Sequence, residues 1–322
     1  MSRIFVSREI PEASLERLAA GCPDAEIAVH RGGEPLAAEA LREAARGAEA
    51  LVCTLADAID APLLEALVPP LRIVSTFAVG YENIDLAAAR RLGVAVANTP
   101  GVLTEATAEV AVALLLACAR RVAEGDRFTR AGRFEGWGPL AHRGRDVYGR
   151  RVGIVGAGRI GERVARTLRF GFDCEIAVHS RRPRPDWERE LGARFAPLEE
   201  LLEQSDFLSL HCPLTPATHH LIDARALARM PRHACLVNTA RGPVVDEAAL
   251  VRALREGEIA AAGLDVYEAE PKLAPGLTAL DNAVLLPHVG SATFAAREAM
   301  GRLCVDAVVA ALAGRDFPNR LA

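Results

Sequence analysis

Short β-branched and apolar runs alternate with helical periodicity from the start of the chain. Arg3–Ser7, Glu26–His30, Ala50–Thr54, Arg72–Thr76 and Val94–Ala97 read as strands, and Ser14–Ala20, Leu36–Ala45 and Ile84–Leu92 carry helical patterns between them. Regular alternation with short connections predicts a parallel sheet covered on both faces. Gly21, Gly47 and Gly93 fall where helix C-caps are expected.

The pattern then changes. Thr99-Pro100-Gly101 marks a turn, Thr104 is placed to cap a helix, and a strongly apolar helix is predicted from about Glu105 to Glu124. Apolar residues on most of its faces mean that it is packed on most sides. From Gly125 to Gly149 neither periodicity persists, although Trp137 and several arginines and glycines are present. So long a connection within a compact protein is usually functional or interfacial, so this stretch is read as a dimer arm.

A second β/α series follows, with strand-like runs at Arg151–Val155, Glu175–His179, Phe207–His211, Ala234–Asn238, Ala260–Leu264 and Ala283–Leu286. Six strands with intervening helices match a doubly wound nucleotide-binding sheet. The last predicted helix, Thr293–Ala313, lies outside that count and is expected to return to the first domain. A chain of 322 residues has room for two such cores.

Composition narrows the chemistry. Of the 38 basic residues 37 are arginine, and Lys272 is the single lysine. That argues against a Schiff-base lysine, a lysine acid or base, and a Walker-type phosphate lysine. A net charge of −4 gives no basic field for nucleic acid or anionic lipid. Seven scattered cysteines without a CxxC argue for reduced thiols rather than disulfides or zinc, and no metal is expected. With no apolar run of signal-peptide character at MSRIFVSREI and none long enough to span a bilayer, a cytoplasmic protein without membrane association is expected.

The strand Arg151–Val155 runs directly into Gly156-Ala157-Gly158-Arg159-Ile160-Gly161, and a helix follows. Gly156 permits the tight turn, Gly158 lets backbone approach a pyrophosphate, and Gly161 lets helix and strand pack closely. The anion would sit on the helix N-terminus, where free N–H groups and the dipole favour it. At the end of the next strand, where an acid would bind a ribose 2′-hydroxyl, stands Ser180, followed by Arg181, Arg182 and Arg184. An acid there would repel a 2′-phosphate, whereas a hydroxyl and guanidinium groups would bind it, so NADPH is expected in preference to NADH.

Reactive side chains are expected at the C-terminal ends of strands in the second series. Arg241, in Asn238-Thr239-Ala240-Arg241-Gly242, could fork onto a carboxylate or carbonyl oxygen. His288, in Leu286-Pro287-His288-Val289-Gly290, could donate or accept a proton. Glu268-Ala269-Glu270-Pro271 offers a carboxylate to orient and charge the imidazole.

These segments together resemble the D-2-hydroxyacid dehydrogenase family, and within it the glyoxylate/hydroxypyruvate reductases. The resemblance covers nearly the whole chain and rests on Val79-Gly80-Tyr81-Glu82-Asn83-Ile84-Asp85, the turn from Gly156 to Gly161, His211-Cys212-Pro213-Leu214-Thr215-Pro216, the segment from Asn238 to Gly242, Ala262-Gly263-Leu264-Asp265-Val266 through Glu270-Pro271, and Pro287-His288-Val289-Gly290-Ser291. It implies an α/β protein of two domains, a Rossmann-type doubly wound parallel sheet inserted into a flavodoxin-like substrate domain. The expected bounds are 1–99 completed by 288–322 for the substrate domain, and 100–287 for the dinucleotide-binding domain with a dimerisation helix and arm at 104–149.

The same resemblance assigns Arg241, Glu270 and His288 to the catalytic trio. It implies that backbone N–H groups at Val79 and Gly80 hold the substrate carboxylate and that Ser291 lies near the substrate. For the cofactor it points to Gly158, Arg159 and Ile160 at the pyrophosphate, Arg181, Arg182 and Arg184 at the 2′-phosphate, and Pro213, Thr239, Asp265 and Gly290 along the nicotinamide half. Trp137 matches a tryptophan that in the reductases reaches the partner subunit's active site; an aromatic packed in the interface of a homodimer fits it equally. Glu270 argues against a formate dehydrogenase, which pairs the histidine with glutamine. The group beyond the keto carbon stays open, as do other D-2-hydroxyacid dehydrogenases, phosphite oxidation, and the non-enzymatic dinucleotide-sensing corepressors that retain the trio.

Overall fold

The computed structural model describes residues 2–322, in two compact units: 2–103 with 292–322, and 104–291. In the first unit the order is β1 (Arg3–Val6), α1 (Glu12–Gly21), β2 (Glu26–Val29), α2 (Ala38–Ala44), β3 (Ala50–Cys53), α3 (Ala61–Leu67), β4 (Ile73–Thr76), α4 (Leu86–Leu92) and β5 (Ala95–Ala97). The five strands pair with one another in parallel, in the flavodoxin-like order β2-β1-β3-β4-β5. Asp60 and Asp85 cap α3 and α4 by accepting the amides of Leu63 and Ala88. Gly93 closes α4 in the left-handed conformation, as its position in the sequence suggests. Gly21 instead lies inside the last turn of α1, and Cys22 follows the helix.

The second unit contains α5 (Thr104–Arg120), α6 (Val122–Arg130), β6 (Arg151–Val155), α7 (Arg159–Phe172), β7 (Glu175–His179), α8 (Pro185–Leu191), β8 (Arg194–Phe195), α9 (Leu198–Gln204), β9 (Phe207–Leu210), α10 (Ala224–Arg229), β10 (Cys235–Asn238), α11 (Glu247–Glu256), β11 (Ala261–Leu264) and β12 (Ala283–Leu285). Its parallel strands lie in the order β12-β11-β10-β9-β6-β7-β8. This is a doubly wound sheet of seven strands rather than the six expected. The extra one, β8, pairs only Arg194 and Phe195 with β7, too short to leave a periodic signature.

The final helix, α12 (Phe294–Leu312), packs in the first unit against α1, β3 and β4. Gly301 makes that approach possible, because a Cβ there would overlap the side chain of Ser14. Ser75, buried in mid-strand, donates its hydroxyl to the Cys304 carbonyl at 2.9 Å, which satisfies it within this core.

Two further expectations change. The single helix over 105–124 is interrupted at Arg121, which takes a left-handed φ of 54°, and α6 then runs on to Arg130. The irregular stretch therefore begins at 131. The division between units also falls later than the sequence suggested, so His288 and Ser291 belong with Arg241 and Glu270. Among the described residues no helix is long and apolar enough to cross a membrane.

Candidate active site

Strand register defines one edge of the second sheet. Val155 pairs with His179 and Leu210, Leu210 with Asn238, Asn238 with Leu264, and Leu264 with Leu285. The residues that follow, Gly156, Ser180, Pro213, Thr239, Asp265 and His288, thus enter loops along that carboxyl edge. Open α/β sheets bind ligands there.

At the glycine turn each glycine has a separate geometric reason. Gly156 has φ +105°, and a Cβ on it would come within 2.7 Å of the His211 and Cys212 backbone. A Cβ on Gly161 would overlap the Gly156 carbonyl oxygen. Gly158 faces open space and precedes α7 without any side-chain cap, so the first-turn amides, including those of Arg159 and Ile160, are left for a ligand. Thr239 adds a buried hydroxyl with no partner among the described residues. An open cradle at a helix N-terminus with an unsatisfied hydroxyl on the same sheet edge fits a dinucleotide.

The basic loop after β7 is divided. Arg184 is held by Asp186 at 2.9 Å and by Glu162 at 3.2 Å. The Arg181 and Arg182 side chains are exposed and have no hydrogen-bond or ion-pair partner among the described residues. Ser180 donates its hydroxyl to the Arg182 carbonyl at 2.6 Å, which shapes the loop that carries both arginines.

His288 and Glu270 meet at the edge near β11 and β12. Nδ1 of His288 lies 2.8 Å from Glu270 Oε2, and Glu270 Oε1 accepts the Tyr267 amide at 3.0 Å. Burial would raise the Glu270 pKa, but the hydrogen bond and charge of His288, the Tyr267 amide and the charge of Arg241 outweigh it and hold the carboxyl below its ordinary range. An ionised Glu270 can only accept, so Nδ1 donates and Nε2 is the ring nitrogen left for another partner. Arg241 donates from Nη1 to the Ala240 carbonyl at 2.6 Å, and its own carbonyl accepts from Asn238 Nδ2 at 2.9 Å.

His288 has a left-handed φ of 53°, uncommon for a side chain of its size. The cause is Asp265, only 1% exposed, whose Oδ1 and Oδ2 accept the amides of Val289 and Gly290, both at 2.7 Å. The structure therefore gives Asp265 and Gly290 a positioning role that the sequence did not reveal. Pro213 lies in the loop after β9, where its carbonyl accepts from the Thr218 hydroxyl at 2.7 Å.

In the first unit, the Val79 carbonyl accepts from Asn98 Nδ2 at 2.7 Å, while the Val79 and Gly80 amides find no acceptor among the described residues. Trp137, in the irregular segment of the second unit, is 86% exposed, and Phe134, Leu140 and Tyr148 are exposed with it.

A glycine turn that fits a dinucleotide, on the same sheet edge as a carboxylate–imidazole pair, defines an oxidoreductase site. Residues 112–290 match the family described as D-isomer specific 2-hydroxyacid dehydrogenase, NAD binding domain, and the chain belongs to that family. It is 48% identical over 320 residues to the glyoxylate reductase of Korarchaeum cryptofilum, covering 98% of this chain and 95% of that one. The glyoxylate reductase of Pyrococcus horikoshii is 46% identical over 98% of this chain and 95% of its own length. Among solved structures, a protein of Thermus thermophilus superposes with a TM-score of 0.93 at 44% identity, covering 99% of this chain and 100% of its own. An NADPH-dependent glyoxylate/hydroxypyruvate reductase from Sinorhizobium meliloti, in complex with NADP and malonate, gives 0.87 at 37% identity, covering 100% and 97%.

Proposed function

We propose that this chain reduces small 2-oxo acids, glyoxylate and hydroxypyruvate, to 2-hydroxy acids, of D configuration where the product is chiral, with NADPH, and that it works in the cytoplasm. The observation that carries the reading is the 2.8 Å contact between His288 Nδ1 and an ionised Glu270, which leaves Nε2 as the proton donor. When bound, the reduced nicotinamide supplies the hydride that the carbonyl carbon accepts. The protonated His288 gives its Nε2 proton to the carbonyl oxygen as negative charge develops there, and Glu270 steadies the imidazolium beforehand. Arg241 holds the carboxylate or carbonyl oxygen and stabilises the same charge. Val79 and Gly80 offer two unpaired amides suited to a carboxylate, and Ser291 a hydroxyl for the substrate.

The preference for NADPH rests on the unpartnered Arg181 and Arg182 and on the absence of an acid at Ser180. Arg184, already paired with Asp186 and Glu162, shapes the loop instead. The exposed Phe134, Trp137, Leu140 and Tyr148 support a homodimer built through the segment 104–149.

The deciding experiment measures kcat/KM for glyoxylate, hydroxypyruvate, pyruvate, 3-phosphohydroxypyruvate and phosphite, each with NADPH and NADH or their oxidised forms. Glyoxylate and hydroxypyruvate should lead with NADPH, and His288→Ala should lower kcat by roughly 10²–10⁴-fold. No turnover of any 2-oxo acid would overturn the activity. Comparable kcat/KM with both cofactors, or a preference untouched by Arg181→Ala/Arg182→Ala, would overturn the NADPH assignment.

A further inference from the structure

The loop after β9 carries two adjacent histidines, and the loop after β11 carries Glu268. His220 Nε2 lies 2.6 Å from Glu268 Oε1, and the His219 and His220 rings stack with centroids 4.1 Å apart. One ligand-capable atom from each of His219, His220 and Glu268 falls within 4.8 Å of the others. We propose that these three side chains form a binding site for a divalent transition metal ion such as Zn²⁺ or Co²⁺, separate from the catalytic trio.

The donor set suits such ions: two imidazole nitrogens and a carboxylate oxygen leave one position open, the ligand count of open tetrahedral sites. With metal–ligand bonds of about 2.0–2.1 Å, ligand atoms in a tetrahedral site are roughly 3.4 Å apart. The His220–Glu268 contact would open by less than an ångström, and His219 would swing inward by up to about 1.4 Å. His219 is exposed, so its ring has room to turn off the His220 ring on which it stacks.

The backbone beneath the ligands is fixed. The His220 amide donates to the Pro243 carbonyl at 2.8 Å, and the Ile222 amide to Val244 at 3.0 Å. On the other side the Glu268 amide donates to Glu247 Oε1 at 2.6 Å, and Glu268 Oε2 accepts the Glu247 amide at 3.3 Å. Fixed carriers reduce the ordering that binding requires. Adjacent histidines with the carboxylate 48 residues away give no spacing signature, so the sequence did not suggest this site.

The test is a Co²⁺ titration of the full chain, freed of any histidine tag, followed by visible absorption and equilibrium dialysis. The expected result is one Co²⁺ per chain with the intense d–d band of a tetrahedral ion, bleached by Zn²⁺. His219→Ala removes an exposed ligand without disturbing the core. His220→Asn removes a second and keeps a residue that tolerates the left-handed φ of 50° found there. Loss of an outer-sphere partner alone weakens metal sites by about 10–100-fold, so each variant should bind Co²⁺ at least ~100-fold more weakly and lose the band. No band in the unmodified protein, or a band that survives His219→Ala, would overturn the proposal.

Discussion

Replacing Asp265 by Asn tests whether this acid holds the catalytic loop or contacts the cofactor. The side chain is nearly isosteric, but its two acceptors become one. Both oxygens now take a backbone amide at 2.7 Å, from Val289 and Gly290. In the variant one amide faces the new NH₂ group, donor against donor. A hydrogen bond to a charged acceptor is worth about 1.5–3 kcal/mol, and a buried amide left unpaired costs about 1–3 kcal/mol more. Against this stands the relief of burying a neutral group, since desolvation already raises the Asp265 pKa despite the two amides that oppose it. The net loss should be roughly 2–4 kcal/mol, concentrated in residues 288–290.

His288 gives way first, because a left-handed φ of 53° is costly unless the following amides are captured. Its imidazole then leaves the position set by Glu270, and misplacement by about 1 Å can cost 10²-fold in rate. The expected outcome for Asp265→Asn is a kcat with glyoxylate lowered by about 10²-fold or more, with the Kd for NADPH, followed by fluorescence, changed less than about fivefold. A kcat within threefold of the unmodified enzyme would refute the reasoning, and a selective loss of NADPH affinity would return Asp265 to the cofactor.

Gly242→Ala places a Cβ on top of the Tyr267 carbonyl and inside contact distance of the Glu268 amide, backbone that cannot swing aside. Overpacking costs typically 1–3 kcal/mol, and here it separates Arg241 from Glu270, so activity should fall at least about 100-fold with a lower Tm; near-normal activity would refute the contact. Burial lowers the His211 pKa to about 3, so this ring stays neutral in the fold where the unfolded chain takes up a proton. The contribution is complete above the unfolded pKa of about 6.5 and is lost as pH falls towards 3. Partial solvent contact makes the full difference an upper bound, so His211→Gln should lessen the drop in stability between pH 6.5 and 4 by about 1–3 kcal/mol; identical pH profiles would argue against it. Burial pushes the Cys174 and Cys212 thiols up to about 11 and those of Cys235 and Cys304 up to about 12. Native protein at pH 8 should therefore label with iodoacetamide at Cys22 if anywhere, and peptide mapping that finds rapid labelling of the other cysteines would contradict the core packing.

What the sequence reveals divides along physical lines. Strands buried on both faces announce themselves as continuous apolar runs, and the glycine turn is legible because sterics leave no substitute for Gly156 or Gly161. The histidine and its carboxylate are found by their place after strands. The break at Arg121 is hidden, because helical residues follow it directly and a left-handed arginine leaves no trace in composition. Arg184 looks like its neighbours in a basic run, and its capture by Asp186 and Glu162 depends on where α7 and α8 bring those acids. The grip of Asp265 on Val289 and Gly290 spans 24 and 25 residues and belongs to tertiary structure.

Three acids near the site show how environment assigns roles to similar side chains. Asp265 accepts two amides of the His288 loop, and Glu247, 4% exposed, accepts those of Glu268 at 2.6 Å and Ala274 at 3.1 Å, on either side of Glu270. Burial raises both of their pKa values, outweighing the amides and, at Asp265, the charge of His288. Glu270 is also buried in part and accepts one amide, yet its pKa is lowered, since His288 and Arg241 add positive charge. Carboxyl groups pushed in opposite directions mark different tasks. The two raised acids fix the backbone of the segments that carry Glu270 and His288. Glu270, the one held ionised, accepts from an imidazole on the loop that Asp265 fixes.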